Sequence, residues 1–322
     1  MVAPARPSPS PSPSPVAAPG LGVGAPADYV ALTKPRIVAL VMLTVAAGFV
    51  VALPAAARVG FAGNAGTSPL AVQLWILVNA LVGTALVAGG TNALNQIAER
   101  DVDALMRRTQ GRPLPAGRLE PKAARWFAWT IAALGVAQLA LLVNLTTALL
   151  AALTLISYVF AYTPLKRRTS LSTLVGAVPG ALPIVGGWTA SGAPLDANAS
   201  VLFAILFLWQ MPHFLALSWM YRSDYARAGL RMLSIEDETG AMTFRQAALN
   251  AAALIPVSLA PTALGMAGRT YFFVAAAISG ALLVLSILAA HAPSPKAARR
   301  LFLSTLVYLP VLLGVLVANR IV

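Results

Sequence analysis

Long stretches without a charged side chain alternate with short polar segments along most of the sequence. The runs that lack Asp, Glu, Lys and Arg are 37–57, 59–98, 126–165, 169–195, 197–221, 246–268, 270–295 and 301–319. A helix needs about 20 apolar residues to cross a bilayer. Each run therefore predicts at least one membrane-spanning helix.

Two of these runs need a closer count. The run 59–98 begins with a Gly-, Asn- and Ser-rich segment, residues 60–68, which predicts a loop and leaves room for one span. The run 126–165 is long enough for two spans, with a natural turn near Asn144. The pattern therefore predicts nine spans.

Composition supports a multi-pass membrane protein. Of the 322 residues, 58% are hydrophobic and only 10% are charged, and the mean hydropathy is +0.77. Soluble domains carry roughly 25% charged residues. The absence of cysteine excludes disulfides and thiolate metal sites. Residues 1–27 are rich in Pro and Ser and predict a disordered tail, so residues 28–322 form the predicted membrane domain.

The basic residues predict how this domain sits in the membrane. The net charge of +13 would suggest nucleic acid for a soluble protein, but here it indicates topology, because Lys and Arg accumulate on the cytoplasmic side. With nine spans and a cytoplasmic N-terminus, every Lys and Arg lies inside except Arg58, Arg269 and Arg320. Eight spans, with the run 126–165 crossing only once, would put basic clusters on both sides. We therefore expect a C-terminus outside, and the lack of a transit signal favours a bacterial cell membrane.

The acidic residues need a separate explanation, since topology depends on Lys and Arg and hardly on Asp and Glu. All of them except Asp196 fall on the inside in this arrangement. Asn95, Glu99 and Asp103 are spaced four apart, which puts them on one helical face. Asp101 points about 200° away from Glu99 on the same helix and is discounted.

These three residues open the first polar loop, residues 99–125, which also contains several arginines. Carboxylates together with phosphate oxygens are typical ligands of Mg²⁺, and arginine forks complement phosphate. We interpret the segment as a site for Mg²⁺ and a phosphorylated ligand; the alternative is a solvated loop whose charges pair locally. The basic residues expected to bind the ligand are Arg107, Arg108, Arg112, Lys166 and Arg167.

The second polar loop, residues 222–245, repeats the arrangement four spans later. Asp224 follows span six and is predicted to be a second metal ligand or a phosphate-positioning group. Glu236, Asp237 and Glu238 are expected to form a solvated loop or a helix start. The repetition hints at two four-helix halves plus a ninth helix, with a central site between the halves. Glycines in spans two and five are expected to permit close helix approach.

An ionic site at the interface above an apolar membrane interior suits a lipid diphosphate. Ionisation of an allylic diphosphate gives a carbocation, which a dry apolar pocket would protect from water. A transporter is the alternative from a different class, but transporters usually hold charged groups near the bilayer midplane.

The motif Asn95-x-x-x-Glu99-x-x-x-Asp103 resembles the first acidic motif of the UbiA-type intramembrane prenyltransferases. Further segments resemble the branch of that family that farnesylates protohaem IX: DALMRRT and GRPLPAG after Asp103, YTPLKR from Tyr162, VPGALP from Val178, WQMPHF from Trp209, and DYxxAG from Asp224. Two departures are the glutamate at position 99, where much of the family has aspartate, and the lack of an acid four residues before Asp224.

The resemblance implies nine helices around a central cavity and Mg²⁺-dependent chemistry. A farnesyl group would pass from farnesyl diphosphate to a vinyl group of protohaem IX (haem B), with water added to give haem O. It implies that Asn95, Glu99, Asp103 and Asp224 are catalytic, with Glu99, Asp103 and Asp224 as metal ligands. It also suggests a haem A synthase or an oxidase assembly factor as a partner. Another acceptor, such as a hydroxybenzoate or a chlorin, remains the alternative within the family.

His213 lies eleven residues before Asp224, about three turns deeper in span six. A histidine inside a span is a functional candidate, and imidazole is a common haem ligand. We expect it to position the haem; the alternative is a hydrogen bond between helices near the break at Pro212.

Overall fold

The computed structural model describes residues 24–58 and 69–321, and there the chain consists of long apolar helices joined by short polar ones. The long helices are α2 (Pro35–Arg58), α3 (Pro69–Ala98), α5 (Pro121–Leu142), α6 (Leu145–Ile156), α8 (Ser172–Ala190), α9 (Ala197–Met220), α12 (Ala241–Ala263), α13 (Arg269–His291) and α14 (Pro295–Ala318). The short helices are α1 (Pro26–Thr33), α4 (Arg100–Leu105), α7 (Thr163–Leu165), α10 (Arg222–Arg227) and α11 (Leu233–Glu236), and a π-helix at Ser157–Tyr162 joins α6 to α7.

Eight helical stretches within the described residues are long and apolar enough to cross a membrane, so the chain is a multi-pass membrane protein. Helix α12 is not one of them. It begins with polar residues that include Arg245, Gln246 and Asn250. The predicted count of nine spans is therefore not confirmed. The predicted loop at 60–68 lies outside the described residues, as does the predicted tail apart from its last residues, where α1 begins.

The predicted turn near Asn144 is confirmed. Helix α5 ends at Leu142 and α6 begins at Leu145. The Asn144 side chain caps α6 by accepting a hydrogen bond from the Thr147 amide at 2.8 Å, which satisfies one of the free N–H groups of the first turn. Its Nδ2 donates to the Thr189 carbonyl at 2.8 Å, so the turn is also tied to α8.

The buried apolar residues form two main cores, and the larger one also includes Ala47, Val51 and Ala52 of α2. Leu32, Val87, Leu139 and Leu155 belong to the core that joins α1, α3, α5 and α6. The larger core joins α8, α9, α12, α13 and α14. The expectation for the glycines holds at Gly90, where a Cβ would lie 2.7 Å from the Ala128 carbonyl oxygen, so α3 and α5 approach closely.

The two halves repeat one local arrangement. A six-residue helix that begins with arginine follows both α3 and α9: α4 starts at Arg100 and α10 at Arg222. The two polar loops contact each other, because Val102 and Met106 share an apolar cluster with Tyr225 and Leu230. Carboxylates from both halves thereby reach one side of the protein.

Candidate functional site

The first polar loop buries its acidic face instead of exposing it. Asn95, Glu99 and Asp103 are only 2%, 8% and 1% exposed. The Glu99 amide donates to the Asn95 carbonyl at 2.9 Å, and the Asp103 amide donates to the Glu99 carbonyl at 2.7 Å. These bonds continue the helical hydrogen-bond pattern across the junction of α3 and α4. The spacing of four therefore keeps Asn95, Glu99 and Asp103 on one face.

Each of these side chains has a basic partner from a different segment. Lys34 Nζ donates to Asn95 Oδ1 at 3.3 Å. Lys166 Nζ lies 2.8 Å from Glu99 Oε1, and Arg112 lies 2.6 Å from Asp103 Oδ2. Three separate parts of the chain therefore supply cations to one short acidic face.

Lys34 belongs to the candidate site, although its position in the sequence predicts only a topology signal. It lies between α1 and Pro35 with φ 53°, the only positive φ outside glycine among the described residues. Side-chain amides from α3 hold the end of α1: Asn92 donates to the Thr33 carbonyl at 3.1 Å and Gln96 to the Leu32 carbonyl at 2.8 Å. Burial, Arg112 and Lys166 lower the pKa of Lys34 to about 7. The signal available in the sequence was the Lys-Pro junction before the first span.

The π-helix connects this face to the protein interior. Asn95 Nδ2 donates to Thr163 Oγ1 at 3.1 Å, and that hydroxyl donates to the Tyr158 carbonyl at 2.8 Å. The Lys166 ammonium lies 4.5 Å from the centre of the Tyr162 ring. Burial would lower the pKa of Lys166, but Tyr162 and Glu99 outweigh burial and raise it above its ordinary value. Lys166 is therefore cationic at neutral pH.

Only part of the predicted basic set reaches the acidic face. Arg112 and Lys166 do so, whereas Arg107, Arg108 and Arg167 are exposed. The Arg108 guanidinium lies 5.0 Å from the centre of the Tyr221 ring. In the described parts of the chain, Arg107 and Arg167 form no ion pair.

The acids of the second polar loop have local partners. Asp224 is buried and pairs with Arg227, three residues later on α10. Asp237 accepts hydrogen bonds from the Gly240 amide at 2.9 Å and the Thr243 amide at 2.7 Å. Burial would raise the pKa of Asp237, but these hydrogen bonds lower it below its ordinary value. The acidic cluster lies between two helices, because Glu236 ends α11 and α12 begins at Ala241. Glu236 and Glu238 are exposed as expected for a solvated loop, whereas Asp237 is buried and ties down the beginning of α12.

The structure does not gather the three predicted metal ligands into one preformed cluster. Within the described residues, no three Asp, Glu or His side chains come together as a metal-binding group. One oxygen of the acidic face is nevertheless free, because Asp103 Oδ1 is buried and has no hydrogen-bond partner among the described residues. A hard cation bound also by phosphate oxygens is the type of ligand that such a carboxylate suits.

A cavity of about 390 Å³ lies in the helical bundle beside this face. Its wall comes from α2, α3, α6, the π-helix, α8 and α9, with Leu309 from α14. Most of the wall is apolar. Asn92, Tyr158 and Tyr162 connect the cavity with the polar site, while Gln210 and His213 are polar groups of α9 in the same wall.

His213 forms the hydrogen bond between helices that was the alternative to a haem contact, and the haem contact stays a prediction. Its Nδ1 lies 2.8 Å from Thr305 Oγ1, which is the hydrogen bond between helices α9 and α14. The ring also lines the cavity. Trp209 stacks on it with ring centres 5.2 Å apart and donates to the Thr305 carbonyl at 2.9 Å, so Trp209 has a packing role as well as facing the cavity.

The ionic face lies at the ends of membrane helices, next to an apolar cavity. This arrangement suits an intramembrane protein whose ligand has a charged head and an apolar tail. Residues 41–309 match the UbiA prenyltransferase family. The chain belongs to this family, as its acidic motif predicted, and is therefore a prenyltransferase. Family membership decides against the transporter alternative.

The curated relatives agree with each other. The chain is 44% identical over 294 residues to the Protoheme IX farnesyltransferase of Solibacter usitatus. The aligned region covers 91% of this chain and 98% of the relative. It is 42% identical over 292 residues to the Protoheme IX farnesyltransferase of Salinibacter ruber, covering 91% and 98%.

Solved structures share the fold at low sequence identity. A structure of digeranylgeranylglyceryl phosphate synthase has a TM-score of 0.71 and 15% identity, covering 91% of this chain and 97% of that one. A UbiA homolog from Archaeoglobus fulgidus bound to DMAPP and Mg²⁺ has a TM-score of 0.59 and 16% identity, covering 90% and 99%.

Proposed function

We propose that this prenyltransferase transfers a farnesyl group from farnesyl diphosphate to a vinyl group of protohaem IX, and that water is added to give haem O. The observation that carries the proposal is the acidic face of Asn95, Glu99 and Asp103, held by Lys34, Lys166 and Arg112 beside an apolar cavity. The relatives named Protoheme IX farnesyltransferase support the choice of donor and acceptor.

The donor set fits Mg²⁺. Asp103 has a buried oxygen with no partner among the described residues, and Glu99 and Asp224 are further carboxylates at the same side of the protein. One or two carboxylates plus phosphate oxygens commonly complete a Mg²⁺ site. When bound, Mg²⁺ would neutralise charge on the departing diphosphate. We assign Glu99 and Asp103 as its principal ligands and Asp224 as a supporting ligand from the second half.

The basic residues bind the diphosphate. Lys166 and Arg112 already lie against the acidic face. On binding, the metal would replace them as partners of the carboxylates, and the diphosphate would pair with the two basic side chains. Arg107, Arg108 and Arg167 are exposed at the rim and would attract the anion from solution. Asn95 orients this arrangement through its bonds to Lys34 and Thr163.

The apolar cavity receives the farnesyl chain and the acceptor. Its largely hydrocarbon wall keeps bulk water from the allylic cation. His213 lies in that wall and contacts the haem, which it helps to position. The haem O produced would serve terminal oxidases, with a haem A synthase or an oxidase assembly factor as the receiving partner.

The membrane orientation follows from the distribution of charge. Nearly all Lys and Arg residues, together with both polar loops, lie on one side if the N-terminus is cytoplasmic and α12 crosses the membrane as the ninth span. We propose that the site opens to the cytoplasm of a cell membrane, where farnesyl diphosphate can enter from water, and that the C-terminus lies outside.

An acceptor competition tests the proposed function. Membranes containing the protein receive labelled farnesyl diphosphate and Mg²⁺ with protohaem IX, a hydroxybenzoate or a chlorin. We expect label in the haem fraction alone, and its loss when a chelator removes Mg²⁺. Labelling of either other acceptor in preference to haem would contradict the proposal and identify the alternative acceptor.

A further inference from the structure

The cavity wall contains a pair of polar groups that the proposed binding of diphosphate does not use. Gln210 and His213 are three residues apart on α9, so they are neighbours on one helical face. Both line the cavity, although Gln210 is only 4% exposed. A buried amide and an imidazole in a largely apolar wall need hydrogen-bond partners.

The orientation of the Gln210 amide is fixed by its donors. Nε2 donates to the Leu206 carbonyl at 3.0 Å and to the Ala177 carbonyl at 3.2 Å. Because both partners are acceptors, the nitrogen must point to them and the oxygen must point away. Oε1 lies against Gly180, where a Cβ would overlap it. Within the described residues, Oε1 accepts no hydrogen bond.

The tautomer of His213 follows from Thr305. The Thr305 hydroxyl has one proton and donates it to the Phe302 carbonyl at 2.6 Å. The bond at 2.8 Å between Thr305 Oγ1 and His213 Nδ1 therefore has Nδ1–H as its donor. Neutral His213 then has an unprotonated Nε2, which makes no hydrogen bond to any described residue.

We propose that Gln210 Oε1 and His213 Nε2 hold the water molecule that is added to the farnesylated haem, and that His213 accepts its proton. The inference rests on the proposed function, because that function requires water. Two acceptors can bind both hydrogens of one water molecule, which leaves its oxygen lone pair directed at an electrophile.

The step balances in atoms and electrons. The C1–O bond of farnesyl diphosphate breaks and diphosphate leaves with the electron pair. The π electrons of the vinyl group form the new C–C bond, which leaves a cation on the vinyl carbon attached to the macrocycle. The water oxygen bonds to that carbon, and one water proton passes to His213 Nε2. Without a held water, the cation loses a proton of its own and gives a dehydrated product.

The test separates hydration from prenyl transfer. Purified protein variants are incubated with labelled farnesyl diphosphate, protohaem IX and Mg²⁺, and mass spectrometry measures the ratio of hydrated to dehydrated haem product. Diphosphate release is followed in parallel. Gln210→Leu and His213→Phe are expected to lower the ratio by about tenfold or more, since general bases contribute roughly 10²–10⁴-fold. In Gln210→Leu, diphosphate release should remain within about threefold of wild type, because Gln210 does not contact the acidic face.

Matched variants complete the test. Phe214→Leu changes an apolar residue of the same wall and should leave the product ratio unchanged. Gly180→Ala displaces Gln210 Oε1 without removing a polar atom, so it should lower the ratio if Gln210→Leu does not fold. The absorption spectrum of bound haem should be unchanged in His213→Phe.

Three results would overturn the inference: an unchanged product ratio in Gln210→Leu or Gly180→Ala, an equal loss of hydration and diphosphate release, or a spectral shift that shows His213 to be an iron ligand. Wild-type protein that transfers no farnesyl group to haem would instead contradict the proposed function.

Discussion

The two polar loops have the same local architecture but use their carboxylates differently. In the first, Glu99 and Asp103 are paired with Lys166 and Arg112, of which Lys166 belongs to another loop. In the second, Asp224 pairs with Arg227 on the same short helix, and Asp237 caps α12. An ion pair between distant segments, such as Lys166 with Glu99, assembles a site from several parts of the chain. An ion pair within one short helix, such as Arg227 with Asp224, stabilises only that segment.

We propose from this difference that the first polar loop has the main catalytic role. A buried carboxylate that loses its counter-ion leaves an uncompensated charge, which is costly. A bound metal can replace the basic side chain as the counter-ion of the carboxylate while the diphosphate pairs with that basic side chain, so the exchange leaves no buried charge uncompensated. The partly exposed pair of Asp224 and Arg227 offers less. Substitutions of carboxylates and their partners in the two polar loops test this difference in role.

Asp103→Asn should have the largest effect. It keeps the shape of the side chain but removes the charge that faces Arg112 and the metal. We expect diphosphate release in detergent to fall by at least about 100-fold, as for the removal of one preorganised electrostatic contact. Asp101→Asn is the matched control, because Asp101 is exposed and pairs with its neighbour Arg100. Equal losses in both variants would show that the effect is not specific to the site.

Lys34→Met should come next. Lys34 contacts Asn95 at 3.3 Å. At about pH 6, below its pKa of about 7, Lys34 is protonated, and loss of its charge-assisted hydrogen bond costs about 2 kcal/mol, or about 30-fold in transfer rate. Arg36→Met removes an exposed basic residue two positions later and should change the rate little. If the two variants behave alike, Lys34 is only a topology signal.

Asp224→Asn should have a smaller effect, a loss of about tenfold, as is typical of a residue that supports a metal site. A titration with Mg²⁺ should show a weaker apparent affinity, with most of the rate recovered at saturation. A loss as large as that of Asp103→Asn would remove the asymmetry between the loops.

Asp237→Ala should affect stability but not activity. Removing the side chain that caps α12 should cost about 1 kcal/mol in the free energy of unfolding. Because the pKa of Asp237 is lowered in the folded state, its contribution is present above the ordinary aspartate pKa and is lost as the pH falls through the lowered value. Thermal unfolding at neutral and acidic pH checks both expectations, with exposed Glu238→Ala as the control.

Much of this arrangement could be predicted from local sequence. The turn at Asn144 follows from the length of an uncharged run and one good capping residue. The acidic face follows from a spacing of four, which the junction between α3 and α4 preserves. The family follows from the acidic motif together with the segments around Trp209 and Asp224.

Other features depend on contacts that no local pattern specifies. Lys34 reaches the site only because Asn92 and Gln96 hold α1 against α3. The charge-free run that contains Ser157–Tyr162 predicts a span but not a π-helix, yet this π-helix positions Thr163 beside Asn95. Helix α12 has the length of a span, but Arg245 and Asn250 make it more polar than the eight identified spans. The charge-free runs alone therefore do not determine the number of membrane spans.

Haem analysis of bacterial membranes tests the central claim most directly. Haem is extracted from cells that lack their own farnesyltransferase and contain either the wild-type protein or Asp103→Asn in equal amounts. We predict a new haem that is heavier by one farnesyl group and one water with the wild type, and unchanged protohaem IX with the variant. The same new haem in both, or in neither, would contradict the account.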